Sequence, residues 1–113
     1  MVHSEQVMRR FLQPTFVQRQ AAAQVGRAGS RLAGAQIEIH INVDAGLVQA
    51  GFKAYGCPAT VAAADLLAEQ LTGTDPAAHK PDRHALINAL ALSPSRQHCA
   101  ALAIEAMHNA FSA

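Results

Sequence analysis

Residues 36–44 read Gln-Ile-Glu-Ile-His-Ile-Asn-Val-Asp, a strict alternation of apolar and polar side chains. Successive side chains of a strand point to opposite faces, so this segment predicts a strand with Ile37, Ile39, Ile41 and Val43 on an apolar face. Glu38, His40 and Asn42 fall on the wet face. Asp44-Ala45-Gly46 has the composition of a turn. A second strand is expected from Leu47 to Tyr55, with Val48, Ala50, Phe52 and Ala54 on one face. Strands joined by so short a turn must pair as an antiparallel hairpin. The rest of the chain then has to cover one apolar sheet face.

The remaining patterns are mostly helical. Residues 3–12 predict a short amphipathic helix capped by Ser4, with apolar Val7, Met8 and Phe11 at helical spacing, Arg9 and Arg10 outward, and Pro14 ending it. Residues 15–24 show no decisive period. Val25–Leu32, with Gly26, Gly29 and Ser30, reads as a short edge strand followed by a loop. A helix is expected from Pro58 to Leu71, with Val61, Ala64, Leu67 and Leu71 buried, Asp65 and Glu69 on the wet face, and Gly73 as its stop. Another is expected over 82–91, capped by Asp82, with Leu86, Ile87 and Leu90 inward. The last runs from Ser93-Pro94 to about Phe111, with Cys99, Leu102, Ala103, Ala106 and Ala110 along one side. Strands followed by helices argue for an α+β fold, a three-stranded antiparallel sheet with helices packed on one face. The 113 residues suit a single domain over 1–113. Half the residues are apolar, while Trp is absent and Tyr occurs once, so Ala, Leu, Ile and Val must build the core.

Nine basic and eight acidic residues leave a net charge of +1. That balance offers no footprint for nucleic acid and no stripe for an anionic membrane. No apolar run reaches membrane-span length, and Met1-Val2-His3-Ser4-Glu5 lacks the layout of a signal peptide. A cytoplasmic location is expected, and there Cys57 and Cys99 are expected to be reduced.

Cys57 falls between a strand and a helix beginning at Pro58. The positive end of a helix dipole and its unpaired N–H groups favour thiolate, the form that binds metal or attacks sulfur. Gly56 allows a sharp turn there. The competing reading is a buried cysteine packing as a small hydrophobe. His98-Cys99 forms a second pair near the start of the last helix. Adjacent helical residues point about 100° apart, so both reach one site only if it lies over the helix end. Cys57, His98 and Cys99 are together a donor set suited to zinc or iron–sulfur binding. No C-x-x-C motif is present, and spacing alone does not establish convergence. His3, His40, His79, His84 and His108 are expected to be solvated. A thiol enzyme with Cys99 as nucleophile and His98 as base is disfavoured, because helical neighbours are badly oriented for proton transfer. No G-x-S-x-G turn and no glycine-rich phosphate cradle is found.

Phe52-Lys53-Ala54-Tyr55-Gly56-Cys57 resembles the Phe-Lys-x-Tyr-Gly-Cys signature of IscU/NifU-type scaffolds. His98-Cys99-Ala100-Ala101-Leu102-Ala103 resembles their later His-Cys segment. Ser4-Glu5-Gln6-Val7 with Pro14, and Ile37 to Gly46, are similar to their first helix and hairpin. The resemblance spans nearly the whole chain. It implies an iron–sulfur cluster assembly scaffold, not an enzyme. Such a scaffold holds a nascent cluster, iron or zinc on three cysteines and an aspartate with a histidine nearby. It further implies sulfur supply from a cysteine desulfurase, help from an Hsp70-type chaperone, and a monomer or weak homodimer.

Cys57 matches the second family cysteine, and His98 and Cys99 match the histidine and third cysteine. The family's Cys-Gly-Asp segment is here Ala33-Gly34-Ala35, so both ligand positions, Ala33 and Ala35, are degenerate. Leu92-Ser93-Pro94-Ser95-Arg96 stands where the family has Leu-Pro-Pro-Val-Lys. Only Leu92, Pro94 and the charge of Arg96 remain, which puts chaperone recognition in doubt. The expected function is that of a divergent scaffold binding iron, zinc or a cluster at a partial Cys/His site. The alternative is a cofactor-less module that docks on or regulates cluster-assembly proteins such as a desulfurase.

Overall fold

The computed structural model describes residues 3–18 and 21–113. Its hairpin lies where the alternation places it. Strands β2 (Ala35–Asp44) and β3 (Leu47–Tyr55) pair antiparallel from Asp44 opposite Leu47 to Gln36 opposite Tyr55. Both central turn residues have positive φ, 52° at Ala45 and 81° at Gly46. This is the turn whose twist matches a hairpin. Gly46 enters it freely, whereas the Ala45 Cβ is strained. Strand β1 (Gln24–Ser30) pairs antiparallel with β2, giving the order β1-β2-β3.

Ile37, Ile39 and Ile41 are fully buried under the helices. Val43, expected beside them, is 51% exposed, because it lies next to the turn at the far end of the sheet. Helix α2 (Pro58–Leu71) packs on β3 and β2, and helix α4 (His98–Phe111) packs on β1 and β2. The fit of α4 depends on small residues. A Cβ at Gly26 would strike the backbone at Ala106 and Ala110, so helix and strand backbones lie directly against each other. Ala103, Ala106 and Ala110 are fully buried along that seam.

Helix α1 (Glu5–Leu12) is capped by Ser4, whose Oγ accepts the Val7 N–H at 3.1 Å and donates to the Leu90 carbonyl at 2.5 Å. Helix α3 (Arg83–Leu90) is capped by Asp82, which accepts the Ala85 N–H at 2.9 Å. Ser93-Pro94 does not open α4. A short 3-10 turn, Pro94–Arg96, comes first, and the helix starts at His98.

Two polar sites depart from expectation. Asp65 does not face water but is 1% exposed. Its Oδ1 accepts the N–H groups of Thr15 and Phe16, both at 2.8 Å, and its Oδ2 meets Arg10 Nη1 at 2.8 Å. Arg10, expected to point outward, turns toward α2 and also pairs with Glu69 at 3.0 Å. The second is His40, on the sheet's outer face and expected to be solvated, yet only 8% exposed. It lies between Val25 and Gly51 on the neighbouring strands, with Nε2 at 3.1 Å from Glu38 Oε1.

The segment without a period also acquires structure. Phe52 N–H donates to the Phe16 carbonyl, and Gln18 N–H donates to the Phe52 carbonyl, so Val17 makes a parallel bridge to β3. A single bridge leaves no alternation to read. Among the described residues, no helix is long and apolar enough to cross a membrane.

Candidate functional site

Helix α4 runs along β1 with Leu102 near Gly29 and Ala110 near Gly26. Its N-terminus therefore lies at the sheet end where β1 finishes, β2 begins and β3 runs into Cys57. The N-termini of α2 and α4 share that end, and with them the two cysteines.

Cys57 is the N-cap of α2, and its carbonyl accepts the N–H groups of Thr60 at 2.9 Å and Val61 at 3.3 Å. Gly56 precedes it with φ of 149°. A Cβ there would lie 2.8 Å from Thr60 Oγ1, so the chain turns tightly around the threonine. Thr60 is 1% exposed. Its hydroxyl lies 3.6 Å from Cys57 Sγ and 3.4 Å from Cys99 Sγ. Thr60 thus stands between the two thiols. Sequence reasoning missed it; the available signal was a lone hydroxyl in the alanine-rich first turn of a helix capped by cysteine.

Cys99 is fully buried, and its Sγ lies 3.7 Å from Nε2 of exposed His98. The expectation that these neighbours are badly placed for each other is therefore corrected. They occupy the first two positions of α4, and the exposed imidazole folds back over the helix end toward Cys99.

The two thiols differ in character. Burial pushes the Cys57 thiol up, but hydrogen bonds from the Thr60 hydroxyl, the backbone N–H groups of Thr60 and Ala59, and Cys99 outweigh it. The net effect holds Cys57 below the ordinary thiol value, as a helix N-cap should. Burial also raises Cys99. The Thr60 hydroxyl opposes this, the nearby Cys57 charge adds to it, and Arg96 opposes it weakly, leaving Cys99 above the ordinary value. The pair therefore combines a half-buried thiol shifted downward with a buried one shifted upward.

The loop carrying the degenerate positions stands at the same end. Ser30 Oγ accepts the Ala33 N–H at 3.0 Å, the Gly34 N–H donates to the Arg31 carbonyl at 3.0 Å, and Gly34 has φ of 94°. Ala35 opens β2 opposite Ser30, and the next β2 residue, Gln36, pairs with Tyr55 two residues before Cys57. On this loop Ala33 and Ala35 present only methyl groups and no donor atom. Among the described residues, no three His, Cys, Asp or Glu side chains are gathered closely enough to hold a metal ion as they stand. Cys99 meets both Cys57 and His98; a bound ion would have to draw the imidazole inward. Two thiolates and an imidazole suit zinc or iron chemically and leave coordination open.

Of the remaining positions, Leu92 is 8% exposed and belongs to the core, whereas Pro94 is exposed and Arg96 is half-buried. His79, His84 and His108 are exposed, and His3 is partly buried.

The family description "NifU-like N terminal domain" matches residues 2–113. The bifunctional protein NifU/MnmA of Rubrobacter xylanophilus is 37% identical over 92 residues, covering 77% of this chain and 19% of that protein. The chain thus spans about a fifth of that relative's length. A candidate iron–sulfur cluster assembly scaffold protein for the SUF system from Fervidobacterium islandicum AW-1 superposes with a TM-score of 0.74 at 18% identity, covering 98% of this chain and 97% of that one. The N-terminal part of a nitrogen-fixing NifU-like protein from Brucella abortus gives 0.70 at 12% identity, covering 98% and 92%. At those identities the superpositions speak for the fold. The three-stranded sheet with its helices on one face, the paired helix N-termini and the match along the chain agree: this chain belongs to the NifU-like N-terminal domain family.

Proposed function

We propose that the chain is a divergent iron–sulfur cluster assembly scaffold that receives iron, zinc or a nascent cluster as cargo on Cys57, Cys99 and His98. The observation that carries this reading is the placement of both thiols on Thr60 where the N-termini of α2 and α4 meet. Cys57, half-buried and held toward thiolate, makes first contact with the cargo. Cys99 follows once a cation lowers its proton affinity, because metal binding releases ligand protons. Two dipole ends stabilise the resulting negative charge. With Ala33 and Ala35 lacking donors, coordination is completed by solvent, a small thiol or a partner residue. The cargo is therefore held loosely, as a transfer step requires. Sulfur is supplied by a cysteine desulfurase, in the cytoplasm.

Anaerobic reconstitution with ferrous iron and sulfide, followed by visible absorption and metal analysis, tests this. Thiolate-to-iron absorption and bound iron are expected in the natural chain and should be lost in Cys57→Ser. Neither metal nor absorption in the natural chain sinks the proposal.

A second reading has its own observation. Leu32 is fully exposed at the tip of the β1–β2 loop, beside Arg31, whose guanidinium sits 4.9 Å over the Tyr55 ring. Such a surface next to an incomplete site favours a cofactor-less module that docks on a cluster-assembly protein. Binding to a purified desulfurase that is abolished by Leu32→Asp and untouched by Cys57→Ser distinguishes it.

A further inference from the structure

Cys57 and Cys99 share more than a ligand role. Their sulfurs flank one hydroxyl, at 3.6 Å and 3.4 Å from Thr60 Oγ1. One is partly open to solvent and the other fully buried. We infer that the two cysteines form a thiol–disulfide exchange site for low-molecular-weight aliphatic disulfides, with Cys57 as the attacking thiol and Cys99 as the resolving one. The inference rests on the proposed reading in that these are the working thiols of the site, but it needs no metal.

The steps balance. Cys57 Sγ, as thiolate, attacks one sulfur of the small disulfide RSSR. The Cys57–SR bond forms, the RS–SR bond breaks, and RS⁻ leaves with the electron pair and takes up a proton. Cys99 then gives its proton to solvent and attacks Cys57 Sγ. The Cys57–Cys99 bond forms, the Cys57–SR bond breaks, and a second RS⁻ departs. The protein loses two electrons and RSSR gains them as two molecules of thiol.

The environment suits that order. Exchange requires access of the small disulfide to the attacking sulfur, and Cys57 is the partly open thiol of the two. Cys99 is fully buried, so it takes part only after a mixed disulfide has formed on Cys57. The hydroxyl of Thr60 donates to whichever sulfur is charged. Once closed, the disulfide takes both thiolates out of the donor set, so oxidation would empty the site of its cargo.

The test uses the full chain, reduced, anaerobic and with EDTA present. Oxidised glutathione is added, the mixture is quenched with iodoacetamide, and the intact mass and peptide map are read. The natural chain should become lighter by two hydrogens, resist alkylation, and yield a peptide joining Cys57 to Cys99. Cys99→Ala should stop as a glutathione adduct on Cys57. In Cys57→Ser, Cys99 should stay unmodified. A stable glutathione adduct on the natural chain, a reaction of Cys99 in Cys57→Ser, or no reaction at all overturns the inference. The peptide map of the natural chain keeps the test decisive even where a variant folds poorly. Zinc binding by the reduced protein is measured in parallel. Zinc binding without disulfide closure removes this inference alone, and closure without binding of zinc or of iron in the reconstitution above removes the cargo reading alone.

Discussion

Replacing Asp65 by alanine should be among the most damaging single changes in this fold. The carboxylate is 1% exposed and makes three charge-assisted contacts at 2.8 Å: the N–H groups of Thr15 and Phe16, and Arg10. Removing it leaves two backbone N–H groups without their acceptor. Each such loss costs about 1–3 kcal/mol when the group stays buried. Arg10 contributes less, because its side chain is 22% exposed and water can take over, a loss of about 0–1 kcal/mol. The sum is about 2–7 kcal/mol, which brackets the range for breaking a buried charged contact by removing one partner. Asp65→Asn keeps an oxygen for the two N–H groups and gives up only the charge, so about 1–2 kcal/mol is expected. Urea unfolding at neutral pH, followed by far-ultraviolet circular dichroism, reads both. If Asp65→Ala lies within about 0.5 kcal/mol of the natural chain, or Asp65→Asn costs as much as Asp65→Ala, the carboxylate does not anchor the segment after α1 and the reasoning fails.

Other expectations follow from single residues. Gly26→Ala forces a methyl group into the α4 backbone and should cost at least about 1–3 kcal/mol in the same assay; full stability would show that the strand and helix are not in contact. Ala45→Asn relieves the positive φ of 52° and should stabilise by up to about 1 kcal/mol, seen as a raised Tm. Alkylation of Cys57 by iodoacetamide should titrate below an ordinary thiol; Thr60→Val should move the midpoint upward and Thr60→Ser should return it, while an unmoved midpoint removes Thr60 from the thiol chemistry. Glu38 is opposed by burial but held below the usual carboxylate range by Arg27 and His40. Its contribution to stability is therefore present above the unfolded-state pKa and lost as pH falls through the lower folded value. Glu38→Gln should flatten that part of an acid unfolding curve.

Much of the fold is legible because it follows from local pattern. The alternation from Ile37 to Val43, the Ala-Gly turn and the caps at Ser4 and Asp82 each act through neighbours in sequence. Asp65 and His40 were misplaced for one reason: their burial depends on segments far away in the chain. Asp65 is enclosed by the chain at Thr15 and Phe16, and nothing in the α2 pattern announces this. His40 lies on the polar face of a strand with neighbouring strands on either side. The pairing of Val17 with Phe52 leaves no periodic trace. At the candidate site, Cys57, His98 and Cys99 could be named from residue type and resemblance, and so could the gap at Ala33 and Ala35. Their relation in space could not, since it depends on α4 lying along β1 in the direction that Gly26 and Gly29 permit. Thr60 had no signature until that packing put a second sulfur against it.

Anaerobic zinc titration against a competing chromophoric chelator is the most direct test of an open, partly ligated site. It compares the natural chain with Cys57→Ser and with the double variant Ala33→Cys/Ala35→Asp. The account predicts weak binding of one zinc ion by the natural chain, its loss in Cys57→Ser, and binding in the double variant tighter by more than about tenfold, or 1.4 kcal/mol. No binding by the natural chain, or binding that survives Cys57→Ser unchanged, would contradict it.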